Sequence, residues 1–324
     1  MKRILRILLI TLLSFYTLLG FLMYYMHYRV NINTEAKEYI TVNDDNIVIF
    51  AAHQDDGVIM TGGYAMQAIK KGGKVNVFYM FDGEPGNGRK RNIIRMNESF
   101  SAWELIGIEK GNIHFLDYDE YYGLSDAAEV EECIDEVVDI FKENNFDKIF
   151  IPLYEGGHYQ HDITNYIVSR AYIRSGINGK IYECPEYNAY YSIKNTPEKF
   201  LSLLSKLVPL CEYRSSPLFI REGSRLYLVM SDEELMLKRE MLQAFKTQDV
   251  ERLLILYGFK DSYQAYTGYD YSKPPFDYEN SLAKVVNNLK TVPVLRSILW
   301  TLFDKTKTRH PDPDFMITRI AIDE

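Results

Sequence analysis

The chain has 324 residues, enough for one large domain with appendages or two modest ones, and its 37 Lys and Arg against 45 Asp and Glu leave a formal charge of −8. That balance offers no electrostatic footprint for a phosphate backbone and argues against a nucleic-acid partner. Cys133, Cys184 and Cys211 are odd in number and widely spaced, which speaks against a disulfide framework and provides no CxxC metal pair.

Taken in chain order, the first element is the N-terminal stretch "MKRILRILLITLLSFYTLLGFLMYYMHYRV". Lys2, Arg3 and Arg6 precede an apolar run from Ile7 to Met26, about the 20 residues that a helix needs to cross a bilayer. Its end is bulky and aromatic, with Tyr24, Tyr25 and Tyr28, and lacks the small residues of a cleavage site. The pattern predicts an uncleaved transmembrane signal anchor over 1–30, a single-pass protein of the cell membrane and, from the basic cluster before the span, an extracytoplasmic body. Residues 31–43 read as a polar tether.

From residue 44 onward, apolar β-branched runs alternate with helical spacing. "NIVIFAA" (46–52), "KVNVFYMF" (74–81), "NIHFLDY" (112–118) and "KIFIPL" (148–153) read as strands. Between them lie a helix closed by Gly72 and Gly73, a second ending near Gly107, and a third with Val130, Cys133, Ile134, Val137, Val138 and Phe141 on one face. This alternation predicts an α/β fold with a mainly parallel sheet flanked by helices, because parallel strands need long crossovers. A catalytic domain is expected over 44–260. Residues 261–324 are expected to form a C-terminal extension packed on the core, with an amphipathic helix in "VPVLRSILWTLFDKTKTR" and an edge strand in "DFMITRIAID".

Ligands of such sheets sit beyond the carboxyl ends of the strands. The loops after the first and fourth strands, "HQDDG" and "YEGGHYQHD", hold three of the six histidines. His53 and Asp56 with His161 make a three-ligand set of the kind a catalytic zinc uses, with one position left for water, and such a centre makes hydroxide available near neutral pH. Asp55 is then free to act as a base. His158 as an imidazolium would stabilise an oxyanion or protonate a leaving amine. Each cluster alone also has a bland reading: Asp-Asp-Gly after a strand is ordinary turn and N-cap chemistry, and a His-x-x-His pair is often simply solvated. Asp82 and Glu84, in the second loop, suit either substrate hydroxyls or turn duty. Tyr121 and Tyr122, after the third strand, suit either a sugar-stacking wall or packing.

Together these residues resemble the PIG-L/LmbE-like metal-dependent de-N-acetylases. "AHQDDGVIMTGG" is similar to the family's A-H-P-D-D-E with its glycine pair, and "HYQH" to its H-x-D-H. "FDGEPGN" is similar to a Thr-Asp-Gly-Glu turn, Arg95 with Glu98 to an R-x-x-E helix, and "KREMLQAFKTQ" to a late lysine helix, so the likeness spans about 45–250. It implies a Rossmann-like fold and Zn²⁺ or another divalent ion on His53, Asp56 and His161, with Asp55 as general base and His158 as charged stabiliser. Arg95 joins Asp82, Glu84, Tyr121 and Tyr122 as a candidate substrate contact. The implied activity is removal of an acetyl group from an N-acetylated amino sugar of a glycan or glycolipid. Alternatives are a cytoplasm-facing N-acetylglucosaminyl-phosphatidylinositol deacetylase and a non-catalytic glycan-binding relative. The chain departs from the pattern at Gln54 (for Pro), Gly57 (for Glu) and Gln160 (for Asp). Loss of a histidine's orienting carboxylate can weaken a metal site by about 10- to 100-fold, and Asp162 or Glu155 is the expected compensation.

Overall fold

The computed structural model describes residues 38–83, 89–118, 127–154, 159–184, 225–248 and 261–271, together with 3, 6–7, 9–18, 186, 250 and 253–254. Its strands are β1 (Glu38–Tyr39), β2 (Asn46–Ala51), β3 (Lys74–Phe81), β4 (Ile113–Tyr118), β5 (Lys148–Pro152), β6 (Lys180–Cys184), β7 (Arg225–Tyr227) and β8 (Ser262–Ala265). They form one sheet in the order β1-β7-β8-β6-β5-β2-β3-β4. Every pairing is parallel except those of β8, which runs antiparallel to both β6 and β7. The helices are α1, described at residues 3, 6–7 and 9–18, then α2 (Asp56–Lys70), α3 (Arg89–Glu104), α4 (Ala127–Glu143), α5 (Tyr159–Ser175) and α6 (Asp232–Gln243).

β2 shows why a continuous apolar run is needed. Successive side chains point to opposite faces, so Ile47, Ile49 and Ala51 enter one core with Val58 of α2, Trp103 of α3 and Leu242 of α6. Val48, Phe50 and Ala52 enter the other core with Ile134 of α4 and Ile167 of α5. Helices therefore cover both faces, and neither face of β2 meets water. The chain runs outward from β2 through β3 to β4, then returns to place β5 on the opposite side of β2. The crevice between the carboxyl ends of β2 and β5 is thus a topological switch point, the place where such sheets bind ligands.

α2 is held where it starts this crevice by a buried polar clamp. Lys238 of α6 is fully buried, donates to the Ile59 carbonyl at 3.0 Å and forms an ion pair with Asp261, whose Oδ2 accepts from the backbone N–H of Gly63 at 2.8 Å. A Cβ at Gly63 would sit 2.7 Å from Asp261 Oδ2 and 3.0 Å from Leu228 Cδ2. Gly63→Ala is therefore expected to cost about 1–3 kcal/mol, the range for overpacking, measured as a lowered denaturation midpoint. α6 opens with a capping box in which Ser231 accepts from Glu234 N–H and Glu234 accepts from Ser231 N–H. Lys148 at the start of β5 donates to Asp45 at 2.6 Å and to Tyr64 at 2.6 Å. Burial pushes the Asp45 carboxyl upward, yet the bonds from Lys148 and Tyr64 outweigh it and hold the group below its usual value.

The N-terminus corrects the expectation of a membrane anchor and a cell-membrane location. Among the described residues no helix is long and apolar enough to cross a membrane. The described part of α1 is residues 3, 6–7 and 9–18. Its apolar side chains, Leu12, Leu13 and Phe15 among them, are exposed. Tyr24, Tyr25 and Tyr28 lie outside the described residues, as do the helix and edge strand expected in the last fifty residues. Of the stretch read as a tether, Glu38 and Tyr39 pair with Leu226 and Tyr227, and Ile40 and Val42 are buried.

Candidate metal centre

The turn after β2 places its polar residues by helix geometry. Asp55 occupies the N-cap of α2, but its side chain accepts no cap hydrogen bond, which sets aside the simple capping reading of the Asp-Asp pair. Asp56 is the first residue of α2, where the partial positive charge of the helix N-terminus favours a carboxylate. Its Oδ2 lies 2.8 Å from the His53 backbone nitrogen, 2.9 Å from His53 Nδ1 and 3.2 Å from His161 Nε2. His161 comes from the first turn of α5, across the crevice. His53, Asp56 and His161 each offer one ligand atom, all within 4.8 Å of one another. They are 9 %, 4 % and 4 % exposed. Burial would raise the Asp56 carboxyl, but the two imidazoles outweigh it and hold the group well below the ordinary carboxylate range.

The donor set fits a divalent cation. His53 Nε2 lies 2.6 Å from Gln160 Oε1, and an amide oxygen can only accept, so Nε2 carries a proton and Nδ1 is the nitrogen left to a ligand ion. His53 Nδ1 lies 2.9 Å from the Asp56 carboxylate, and Nδ1, Asp56 Oδ2 and His161 Nε2 are the three atoms that a cation between them would take. Two imidazoles and one carboxylate match the ligand chemistry of a catalytic zinc site with an open position.

Asp55 points to the other side. Its Oδ1 lies 3.3 Å from Arg95 Nη2 in α3, and Arg95 Nη1 also donates to the Gly83 carbonyl. Burial, then the neighbouring Asp56 charge, raise the Asp55 carboxyl, and Arg95 offsets only part of that. The adjacent aspartates thus differ: one is held anionic between two imidazoles, the other is pushed toward a higher proton affinity. Arg95, a candidate substrate contact in the sequence, is buried and engaged with Asp55 and Gly83. Asp82 is half-buried at the end of β3. Glu84, Tyr121, Tyr122 and His158 lie outside the described residues.

The departures from the family pattern have local causes. Gln54 is fully buried, and its Nε2 donates to the carbonyls of Asp82 at 3.1 Å and Phe81 at 3.4 Å, so it ties the first loop to the second. At Gly57 a Cβ would lie 3.1 Å from Trp103 Cζ2 and 3.3 Å from the Tyr79 hydroxyl. The Tyr79 oxygen in turn accepts from Trp103 Nε1 at 2.7 Å and Ser99 at 2.8 Å. That aromatic cluster fills the room a longer side chain would need. Glu186, just past β6, is 2 % exposed, and its Oε1 lies 3.4 Å from His161 Nδ1. No sequence motif marked it, although it occupies the carboxyl end of a parallel strand like the other site residues.

A family model described as PIG-L, GlcNAc-PI de-N-acetylase, matches residues 48–172, the stretch that contains all three candidate ligands. That segment is similar to the PIG-L de-N-acetylases. The family is one of amide hydrolases. Solved structures similar to the chain include the A40926 pseudoaglycone deacetylase Dbv21, at 16% identity, covering 70% of this chain and 100% of that one with a TM-score of 0.48. A deacetylase–teicoplanin complex matches at 16% identity over 67% of this chain and 96% of that one, with a TM-score of 0.48. The N,N'-diacetylchitobiose deacetylase from Pyrococcus horikoshii matches at 19% identity over 68% of this chain and 84% of that one, with a TM-score of 0.39. None of the curated proteins matches the chain. β8 and the Lys238–Asp261 clamp lie beyond the matched segment and belong to the same sheet and to the packing of α2.

Proposed function

We propose that the protein is a metal-dependent hydrolase that removes the acetyl group from an N-acetylated amino sugar. The observation that carries this reading is the convergence of His53 Nδ1, Asp56 Oδ2 and His161 Nε2 at the switch point of a PIG-L-like domain, with Asp55 beside them and outside the ligand set. His53, Asp56 and His161 would hold the ion, and when bound it supplies Lewis-acid polarisation of the acyl oxygen and lowers the pKa of water.

The chain's own residues then divide the proton work. Asp55, raised in proton affinity by burial and by Asp56, receives a proton from the attacking water. Arg95 keeps the Asp55 carboxylate oriented through Oδ1. Water oxygen adds to the acyl carbon, the carbon–nitrogen bond breaks, and the amine leaves with the proton returned to it. His158, three residues before His161 in the sequence, is assigned to the oxyanion or the leaving nitrogen. Substrate recognition by Asp82, Glu84, Tyr121 and Tyr122 belongs to the same proposal.

The test is acetate release from N-acetylglucosamine polymers, glycolipids and small conjugates by the full chain, stripped with chelator and then given Zn²⁺. Turnover that appears only on metal addition supports the reading. A chain that binds these glycans and releases no acetate with any divalent ion is a non-catalytic binding protein, and the proposal fails.

A further inference from the structure

Two imidazoles ligate the same ion usefully only if each presents the correct nitrogen, and a neutral histidine in water populates both tautomers. The structure uses opposite nitrogens: Nδ1 of His53 and Nε2 of His161 both face Asp56 Oδ2, at 2.9 and 3.2 Å. Something must therefore hold a proton on Nε2 of one ring and on Nδ1 of the other. Gln160 Oε1 is hydrogen-bonded to His53 Nε2 at 2.6 Å, and Glu186 Oε1 stands 3.4 Å from His161 Nδ1 as a charged neighbour outside hydrogen-bond geometry.

We infer that Gln160 and Glu186 are the positioning residues of the metal centre, Gln160 by its hydrogen bond to His53 and Glu186 by the charge it sets beside His161 Nδ1, each favouring the ligating tautomer of one histidine. The inference rests on the reading that His53, Asp56 and His161 hold the ion. It assigns Gln160 a duty that its place in the "HYQH" motif does not suggest. Its side chain crosses the crevice from α5 to the histidine of the β2 loop, 107 positions earlier in the chain, and so fastens the two halves of the site to each other. Both residues are buried, at 7 % and 2 % exposure, so their contacts are shielded from competing water.

The two partners also differ in charge, which gives the inference a direction. A neutral amide fixes the His53 ring but adds little basicity. A carboxylate both fixes the ring and makes the coordinating nitrogen a stronger donor. At position 160 the order of zinc affinity should be Glu above Gln above Leu. At position 186 it should be Glu above Gln above Leu as well.

The experiment is a zinc competition titration with a chromophoric chelator on the full chain and on Gln160→Glu, Gln160→Leu, Glu186→Gln, Glu186→Leu and His161→Ala, with circular dichroism of each metal-free protein. Gln160→Leu and Glu186→Leu are expected to bind zinc about 10- to 100-fold more weakly than the parent. Gln160→Glu should bind at least as tightly as the parent, which a merely structural role for Gln160 would not produce. Leu variants that hold zinc as tightly as the parent, or a folded Gln160→Glu that binds more weakly, overturn the inference while leaving the ligand assignment standing. Zinc binding equal in the parent and His161→Ala overturns the ligand assignment itself, and the positioning roles with it.

Discussion

Asp55→Asn is expected to retain bound zinc and to lower acetate release by about 10²- to 10⁴-fold, the range over which a positioned general base contributes. The expectation follows from how the turn divides its two aspartates. Asp56 Oδ2 faces both imidazoles, whereas Asp55 Oδ1 faces Arg95 and contributes no atom to the ligand cluster. Asparagine keeps an oxygen for Arg95 to donate to and removes the group that accepts a proton from water. His161→Ala, by contrast, deletes one of three ligands and should lose metal and activity together. Metal content measured beside initial rates separates the two outcomes. Equal zinc loss in both variants would show that Asp55 belongs to the ligand set and that the base lies elsewhere.

The second large effect is expected far from the chemistry. Lys238→Met should destabilise the fold by about 3–5 kcal/mol, because breaking a buried ion pair leaves the other charge without compensation. Both side chains are fully buried. Asp261 also accepts from Gly63 N–H, from Tyr64 N–H and from the Tyr263 hydroxyl, so the carboxylate cannot move to solvent when its lysine is removed. Lys238 additionally holds the Ile59 carbonyl one turn into α2. The same substitution should therefore loosen the helix that carries Asp55 and Asp56. Urea denaturation of the metal-free protein reads the first effect. A loss under about 1 kcal/mol would contradict this, and would mean that the buried Asp261 does not depend on Lys238 for compensation.

The parallel core was legible because its signals are local. "NIVIFAA" could only be a strand buried on both faces, and its alternate residues do feed two cores. The two metal-ligand loops were legible because a parallel sheet brings successive strand ends to one edge, so His53 and His161 could be placed together from chain order alone. β7 and β8 were not: each is three or four residues long, too short for periodicity to mark, and β8 lies antiparallel between β6 and β7 by tertiary pairing. Glu186 was hidden for the related reason that β6, five residues of "KIYEC", is too short for periodicity to mark. Gln160 reads in sequence as a missing carboxylate, and only its reach to the opposite loop reveals an orienting role. The Ile7–Met26 run reads as a span by length and hydropathy, while among the described residues no helix is long and apolar enough to cross a membrane.

The central claim is that His53, Asp56 and His161 hold the catalytic ion. X-ray absorption of the zinc-loaded full chain tests it most directly. Two imidazole shells and a light-atom shell at about 2.0–2.2 Å, with one imidazole lost in His161→Ala, are the predicted result. A sulfur shell near about 2.3 Å, or a spectrum unchanged by His161→Ala, would contradict the assignment.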